Sequence, residues 1–339
     1  MISMQELAEI CGYSRVSVSA ALNGKGGISE NAREKILRIA KEHNYTPNKM
    51  AHALKGLPSY LIGMLIRDLS NPFYTQMIKI IDDHLHKKGY SLIVLNSMAD
   101  LEREKKALQT LYSYNVDGLF IAPFAKDNAV DNITSIVGNH KKPVIMLDNL
   151  SRDIGSMSIG FNNRSGAFEA TQYLIDCGHT EISYLAGPES SLSYRERSAG
   201  FMNCMQKNEL TINSNSIFPC GSSAEDGYTA ALSLLKTKNR PSALFCFNDY
   251  IAVGVYRAAQ ELKLNIPQDL SIIGFDNINL TKLLSPALST VNIHIDNVAR
   301  DAAKNMLKFL KDENYSPQTK NHIFEPELIK RDSVRNLKK

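Results

Sequence analysis

From residue 60 onward, short apolar runs alternate with segments of helical period, and no other feature of the chain limits its fold as tightly. Residues 60–66, 91–95, 118–122 and 144–147 are mostly apolar. Strands of that kind are buried on both faces, as in a parallel sheet covered by helices. Between them Phe73, Met77, Ile80, Ile81 and Leu85 recur at helical spacing, and 101–114 and 128–139 give two further crossovers. The alternation returns with strands at 182–186, 243–247 and 271–274, separated by helices at about 163–177, 193–208, 225–237 and 249–262. This order predicts an α/β fold of two lobes, each built on a parallel sheet. Ligands in such folds sit at the carboxyl ends of strands and between lobes.

Residues just after the strands therefore form the candidate cleft. The stretch 68–74 follows the first strand and supplies Phe73 and Tyr74, and Asp148 follows the fourth. In the second lobe Ser193 and Arg197 lie where a loop leads into a helix, Asn248 and Asp249 follow one strand, and Asp276 follows another. Carboxylates, amides and arginines converging on a cleft suit a polyol, whose hydroxyls both donate and accept. A buried Asp–Arg pair that only ties elements together is the competing reading, because structural networks also gather charge.

The first 57 residues follow a different pattern. Ser3-Met4-Gln5-Glu6 has the spacing of a capping box and predicts a helix burying Leu7, Ala8 and Ile10 before Gly12 turns the chain. Ser14 is placed to cap a second helix running to about Asn23, and Ser29 a third, whose Ala32, Ile36, Ile39 and Ala40 fall at helical spacing. Two short helices joined by a tight turn and buttressed by a third make a helix-turn-helix, whose second helix enters the major groove of DNA. Its outward positions Ser14, Arg15, Ser17 and Ser19 suit phosphates and base edges, while Val18, Ala21 and Leu22 face inward. A three-helix structural bundle with a solvated polar face is the alternative.

Residues 47–56 are a short helix candidate that begins near Pro47 and ends at Gly56, with Leu54 beside Lys55. A helix of about two turns is unstable alone in water. An apolar wedge flanked by Lys49 and Lys55 suits insertion into a minor groove, and a flexible linker is the alternative.

At these residues the chain resembles the LacI/GalR family of bacterial transcription regulators. The headpiece pattern reads Leu7-Ala8-Glu9-Ile10-Cys11-Gly12-Tyr13-Ser14, Val18-Ser19, Leu22-Asn23-Gly24 and Asn44-Tyr45-Thr46-Pro47-Asn48. Further matches are Leu185-Ala186-Gly187-Pro188, Phe247-Asn248-Asp249, Ile273-Gly274-Phe275-Asp276 and Ile329-Lys330-Arg331. The resemblance implies a headpiece at 1–46, a hinge at 47–58 and a two-lobed periplasmic-binding-protein-like core at 59–339. Lobe 1 is then about 59–160 and 293–321, and lobe 2 about 163–290 and 322–331, with chain crossings near 160–162, 291–292 and 322. The major groove would be read by Ser14, Arg15, Val16, Ser17, Ser19, Ala20 and Asn23. The minor groove would be met by Asn48, Lys49, Ala51, Leu54 and Lys55, with Leu54 intercalating. Effector contacts would come from Phe73, Asp148, Ser193, Arg197, Asn248 and Asp276.

The family often has an arginine at the position of Ala20. Alanine offers only an apolar contact, such as one to a thymine methyl, so Arg15 is the one long polar reader on that helix. Residues 219–223 lack the large aromatic that sugar and purine binders of the family often carry there, which weighs against a monosaccharide. Local stretches such as 22–26, 66–74, 220–223 and 246–248 resemble the maltose-regulon repressor branch. The implied function is a homodimeric repressor of a carbohydrate operon, binding a pseudo-palindromic operator and modulated by a small molecule, a sugar or sugar phosphate. Its rivals are a sugar-binding module without operator binding and an enzyme on the same scaffold.

Charge supports the division. The chain carries 39 Lys+Arg against 35 Asp+Glu, a net of +4 that announces no partner by itself. Residues 1–57 hold eight basic and five acidic side chains, so +3 of the total lies there. Five scattered cysteines include no C-x-x-C pair, which supports neither a disulfide framework nor a zinc site. No apolar stretch long enough to span a bilayer and no export signal is read, so a cytoplasmic protein is expected. No phosphate-cradling, zinc-protease or nucleophile-elbow motif occurs, and no cofactor, metal or catalytic residue is expected.

Overall fold

The computed structural model describes residues 2–22, 24, 26–45, 57–123, 127–138, 142–147 and 155–338, with the side chains at 127–132 excepted. The chain divides into two compact units, Met1–Ser59 and Tyr60–Lys339.

The first unit contains α1 (Met4–Cys11), α2 (Arg15–Leu22) and α3 (Glu30–Glu42). The capping box forms as its spacing requires: Ser3 Oγ accepts the Glu6 N–H at 3.2 Å, and the Glu6 carboxylate accepts the Ser3 N–H at 2.7 Å. Gly12 ends α1 in the left-handed region at φ 74°, where glycine has no Cβ to clash. A core of Leu7, Ala8, Cys11, Val18, Ala21, Ile36 and Ala40 holds the three helices together. Ile10 is not part of it: at 46% exposure it lies on the outer face, because Leu7 and Cys11 already fill the inward stripe of α1.

The second unit contains two six-stranded sheets. In the first, β1 (Leu61–Ile66), β2 (Ser91–Asn96), β3 (Gly118–Ile121), β4 (Val144–Leu147) and β5 (Met157–Phe161) alternate with α4 (Pro72–His86), α5 (Leu101–Ser113) and α6 (Asp127–Gly138). The second sheet opens with α7 (Asn163–Asp176), β6 (Ile182–Ala186), α8 (Leu192–Lys207), β7 (Ile217–Pro219) and α9 (Ala224–Leu235). It continues with β8 (Ala243–Cys246), α10 (Asp249–Glu261), β9 (Ser271–Asp276) and β10 (Ser289–Asn292). The chain then returns through α11 (Ile295–Lys311) and β11 (Asn321–Phe324) to the first sheet, and ends in the second with β12 (Glu327–Ile329).

The strand orders are β11-β5-β4-β3-β1-β2 and β12-β10-β9-β8-β6-β7. All pairs are parallel except β10–β12, so the second sheet is mixed rather than parallel throughout. A terminal strand that reaches the sheet through a short connection has no crossover helix to reverse its direction. The last crossing also falls later than residue 322. Strand β11 pairs with β5 in lobe 1 as far as Phe324↔Phe161, so the chain changes lobes between Phe324 and Glu327. Likewise β10 is still paired in the second sheet at Asn292, and the second crossing follows it.

Both sheets reverse their winding at corresponding places. The chain steps from β1 to β2 on one side and then to β3 on the other, and does the same around β6. At such a switch point adjacent loops leave in opposite directions and open a crevice at the carboxyl ends of the strands.

Candidate functional site

A cleft opens at these switch points, with about 680 Å³ of empty space including its open mouth. From lobe 1 it is lined by Arg67, Asp68, Asn71, Phe73, Tyr74 and Ala99, which follow β1 and β2, and by Phe161 at the end of β5. From lobe 2 come Pro188, Ser191 and Ser193 after β6, Arg197 on α8, Ser222, Phe247 and Asn248 at the start of α10, and Asp276. The structure thus brings together five of the six sequence-predicted cleft residues: Phe73, Ser193, Arg197, Asn248 and Asp276. Asp148 lies outside the described residues.

Arg197 is the centre of the lobe 2 wall. Its Nε donates to Asn163 Oδ1 at 2.8 Å, one Nη donates to the Phe247 carbonyl, and the other meets Asp276 Oδ1 at 3.4 Å. The guanidinium lies over the rings of Phe275 and Phe247, at 3.7 and 4.6 Å from their centroids. The side chains of the ion pair are only 5% and 7% exposed, so its attraction is little screened by solvent. Asn248 caps α10, its Oδ1 accepting the Ile251 N–H at 2.7 Å, while its Nδ2 donates to the Ser222 carbonyl at 3.2 Å.

Beneath this wall Asp249 is fully buried. Burial, and next the nearby Asp276 carboxylate, push its carboxyl well above the usual range, against hydrogen bonds that favour the charged form. Its two oxygens accept from the Thr290 hydroxyl at 2.6 Å and the Ile278 N–H at 3.0 Å.

The lobe 1 wall is aromatic. Phe73 packs edge-on against Tyr74 and Phe161, with centroids 4.9 and 6.4 Å apart. Arg67 donates through Nε to the Tyr74 hydroxyl at 2.5 Å. Asn71 caps α4, accepting the Phe73 N–H at 3.0 Å, and this fixes where the Phe73 ring enters the cleft. Sequence reasoning missed Arg67, Phe161 and Phe247 as lining residues. Phe161 and Phe247 sit at or just past strand ends, the same positional signal that identified Asn248. Residues 219–223 hold no large aromatic, and the aromatic surface of the cleft comes from Phe73, Tyr74, Phe161 and Phe247 instead.

In the first unit, Ser14 Oγ accepts the Ser17 N–H at 3.1 Å and pairs with the Ser17 hydroxyl at 2.9 Å, starting α2. Ser14, Arg15 and Val16 are exposed, Ser17, Ser19 and Ala20 partly so, while Val18 and Ala21 are buried. At 79% exposure Val16 is an apolar side chain presented outward from the first turn of a helix. Asn23 and the hinge positions Asn48, Lys49, Ala51, Leu54 and Lys55 lie outside the described residues. No helix among the described residues is long and apolar enough to cross a membrane.

A helix-turn-helix unit preceding a two-lobed binding domain defines a DNA-binding transcriptional regulator with a small-molecule site. A family model described as bacterial regulatory proteins of the lacI family matches residues 3–48, and one described as a periplasmic binding protein-like domain matches 171–334. The chain is 32% identical over 338 residues to the ribose operon repressor of Haemophilus influenzae, covering all of both chains. It superimposes on the lac repressor dimer bound to operator and the anti-inducer ONPF with a TM-score of 0.84 and 27% identity, covering 98% of this chain and 99% of that one. A LacI family regulator from Enterococcus faecium with bound ribose matches with a TM-score of 0.71 and 26% identity, over 82% of this chain and 99% of that one. The chain belongs to the lacI family of bacterial regulatory proteins.

Proposed function

We propose that the protein represses a carbohydrate-utilisation operon as a homodimer, with α2 in the major groove of each half of a pseudo-palindromic operator. The observation that carries this reading is the exposed first turn of α2. Arg15 is a bidentate donor and Val16 an apolar contact, both exposed on a helix whose Val18 and Ala21 anchor it in the core of the unit. The lac repressor dimer bound to operator, similar along the whole chain, supports the dimer and the DNA. Asn48, Lys49, Ala51, Leu54 and Lys55 complete the interface in the minor groove, Leu54 prying open a base step at a cost of about a few kcal/mol. This role places the protein in the cytoplasm and requires no catalytic step.

The effector of this reading is a sugar in the inter-lobe cleft. The ribose operon repressor and the ribose-bound regulator support it, and so does a cleft with an aromatic wall facing a charged and amide wall. Sugar phosphate remains in the class, since Arg67 and Arg197 both line the cleft. The local likeness of 66–74 and 220–223 to maltose-regulon repressors sets a second reading of the regulon beside the ribose one. A gel shift with duplex DNA from upstream of the protein's own gene tests the proposal. A salt-sensitive shift that survives nonspecific competitor is expected, and its absence from the full-length protein overturns the reading.

A further inference from the structure

The cleft residue Asp276 stands in an unusual piece of backbone. Asp276 has φ 112° and Asn277 φ 57°, so two successive non-glycine residues occupy the left-handed region. Backbone of this kind is strained and persists only where the surroundings impose it. Two side chains from distant parts of the chain do so here. From α10, Asp249 grips the Ile278 N–H and, across the sheet, the Thr290 hydroxyl on β10. From the C-terminal segment, Arg331 donates to Asn277 Oδ1 at 2.6 Å, to Thr281 Oγ1 at 3.0 Å and to the Leu288 carbonyl at 2.5 Å. The Arg331 N–H also reaches Ser289 Oγ at 2.9 Å, so both ends of the loop 277–289 are tied to one residue.

The space for this clamp is written into β9. A Cβ added to Gly274 would fall on the Asp249 carboxylate, which its hydrogen bonds prevent from moving aside. None of Asp249, Arg331, Thr290 or Gly274 lines the cleft.

We infer that Asp249 and Arg331 are positioning residues: they hold the strained turn at Asp276–Asn277 so that the Asp276 carboxylate meets Arg197 at the cleft wall. The consequence for effector binding rests on the proposed reading of the cleft, but the positioning itself is testable with no ligand present. It turns the cleft wall into a device with three anchors, on α10, on the last segment and on α8.

The test is hydrogen exchange together with the side-chain Nη2–H resonance of Arg197, the nitrogen that meets Asp276 Oδ1, in the full-length protein without ligand. That resonance is assigned by its loss in Arg197→Lys. In Asp249→Ala, exchange at Ile278 and through 276–290 is expected to rise about tenfold or more, as for a lost buried hydrogen bond. The Arg197 resonance is expected to shift as Asp276 leaves it. Asp249→Asn, which keeps an acceptor for the Ile278 N–H and a partner for Thr290, is expected to stay close to the wild type. Thr290→Val and Arg331→Lys are milder versions that serve if Asp249→Ala does not fold, each expected to raise exchange in the loop while α10 stays protected. Wild-type exchange at 276–290 and an unmoved Arg197 resonance in these variants overturn the inference. So does a uniform rise over the whole second lobe with no rescue in Asp249→Asn, which is the mark of a merely stabilising residue. Loss of DNA or sugar binding in the wild-type protein counts against the proposed function and leaves this result standing.

Discussion

Ser14 and Asn248 start α2 and α10 in the same way, each side-chain oxygen accepting the N–H three residues on, at 3.1 Å from Ser17 and 2.7 Å from Ile251. The two helices then use their first turns in opposite senses. In α2 Arg15 and Val16 are exposed, whereas in α10 Asp249 and Ile251 are fully buried. The cap is a local device that satisfies orphan N–H groups whatever surrounds it. What surrounds it decides the use. Helix α2 follows a turn on the outside of a three-helix unit, and α10 follows β8, a strand buried on both faces at the second lobe's switch point. The same signal therefore presents a reading face in one unit and closes the floor of a cleft in the other.

If this contrast is right, substitutions in one unit leave the other's properties alone. The largest effect is expected from Arg197→Ala, which removes the guanidinium that pairs with the buried Asp276 carboxylate and opens a void between Phe247 and Phe275. A loss of about 3 to 5 kcal/mol is expected for the second unit by chemical denaturation, with the headpiece unchanged. Next comes Ile36→Ala in the headpiece core, expected to cost that unit about 2 to 5 kcal/mol and abolish DNA binding. The unfolding midpoint of the core unit is expected to stay in place, and a parallel fall would show that the units are not independent. Arg15→Ala is expected to leave both units folded and relax discrimination by about 1 to 3 kcal/mol at one base position. An unchanged site preference would remove Arg15 from the reading face.

The smallest expected effect is one of pH. His179 is buried, with Nε2 3.1 Å from the Arg335 carbonyl and Nδ1 2.9 Å from Ser242 Oγ, and this joins the C-terminal segment to lobe 2. Burial holds its imidazole below the ordinary value of 6.5. The unfolded chain then binds the proton more readily than the folded one, so stability is complete above pH 6.5 and falls as pH drops through that value. Denaturation midpoints of the second unit measured between pH 8 and 5.5 are expected to show this decline, and His179→Gln to flatten it.

The alternation of apolar runs and helical segments made the two sheets legible, and the strand ends located most of the cleft. Strands β5, β7, β10, β11 and β12 were not read as strands. They are short, with polar or proline residues among the apolar ones, as in Ser289–Asn292 and Ile217–Pro219, and they are held by neighbours distant in sequence. Helix α11 did carry a signal, with Ile295, Val298, Ala299, Ala302, Ala303 and Met306 at helical spacing and buried against the core. Asp249 was legible as a residue after a strand, but its partners Ile278 and Thr290 lie 29 and 41 residues further along the chain, and only the fold reveals them. The mixed direction of the second sheet has the same cause, since β12 follows no crossover helix.

The reading face of α2 is the point on which everything about function turns, and selection from random duplex DNA by the full-length protein tests it most directly. The expected result is a two-fold symmetric motif whose half-sites lie about one helical turn apart, with at least one base position lost in Arg15→Ala. Recovery of no enriched sequence, or of the same motif from Arg15→Ala and Val16→Ala as from the wild type, would contradict it.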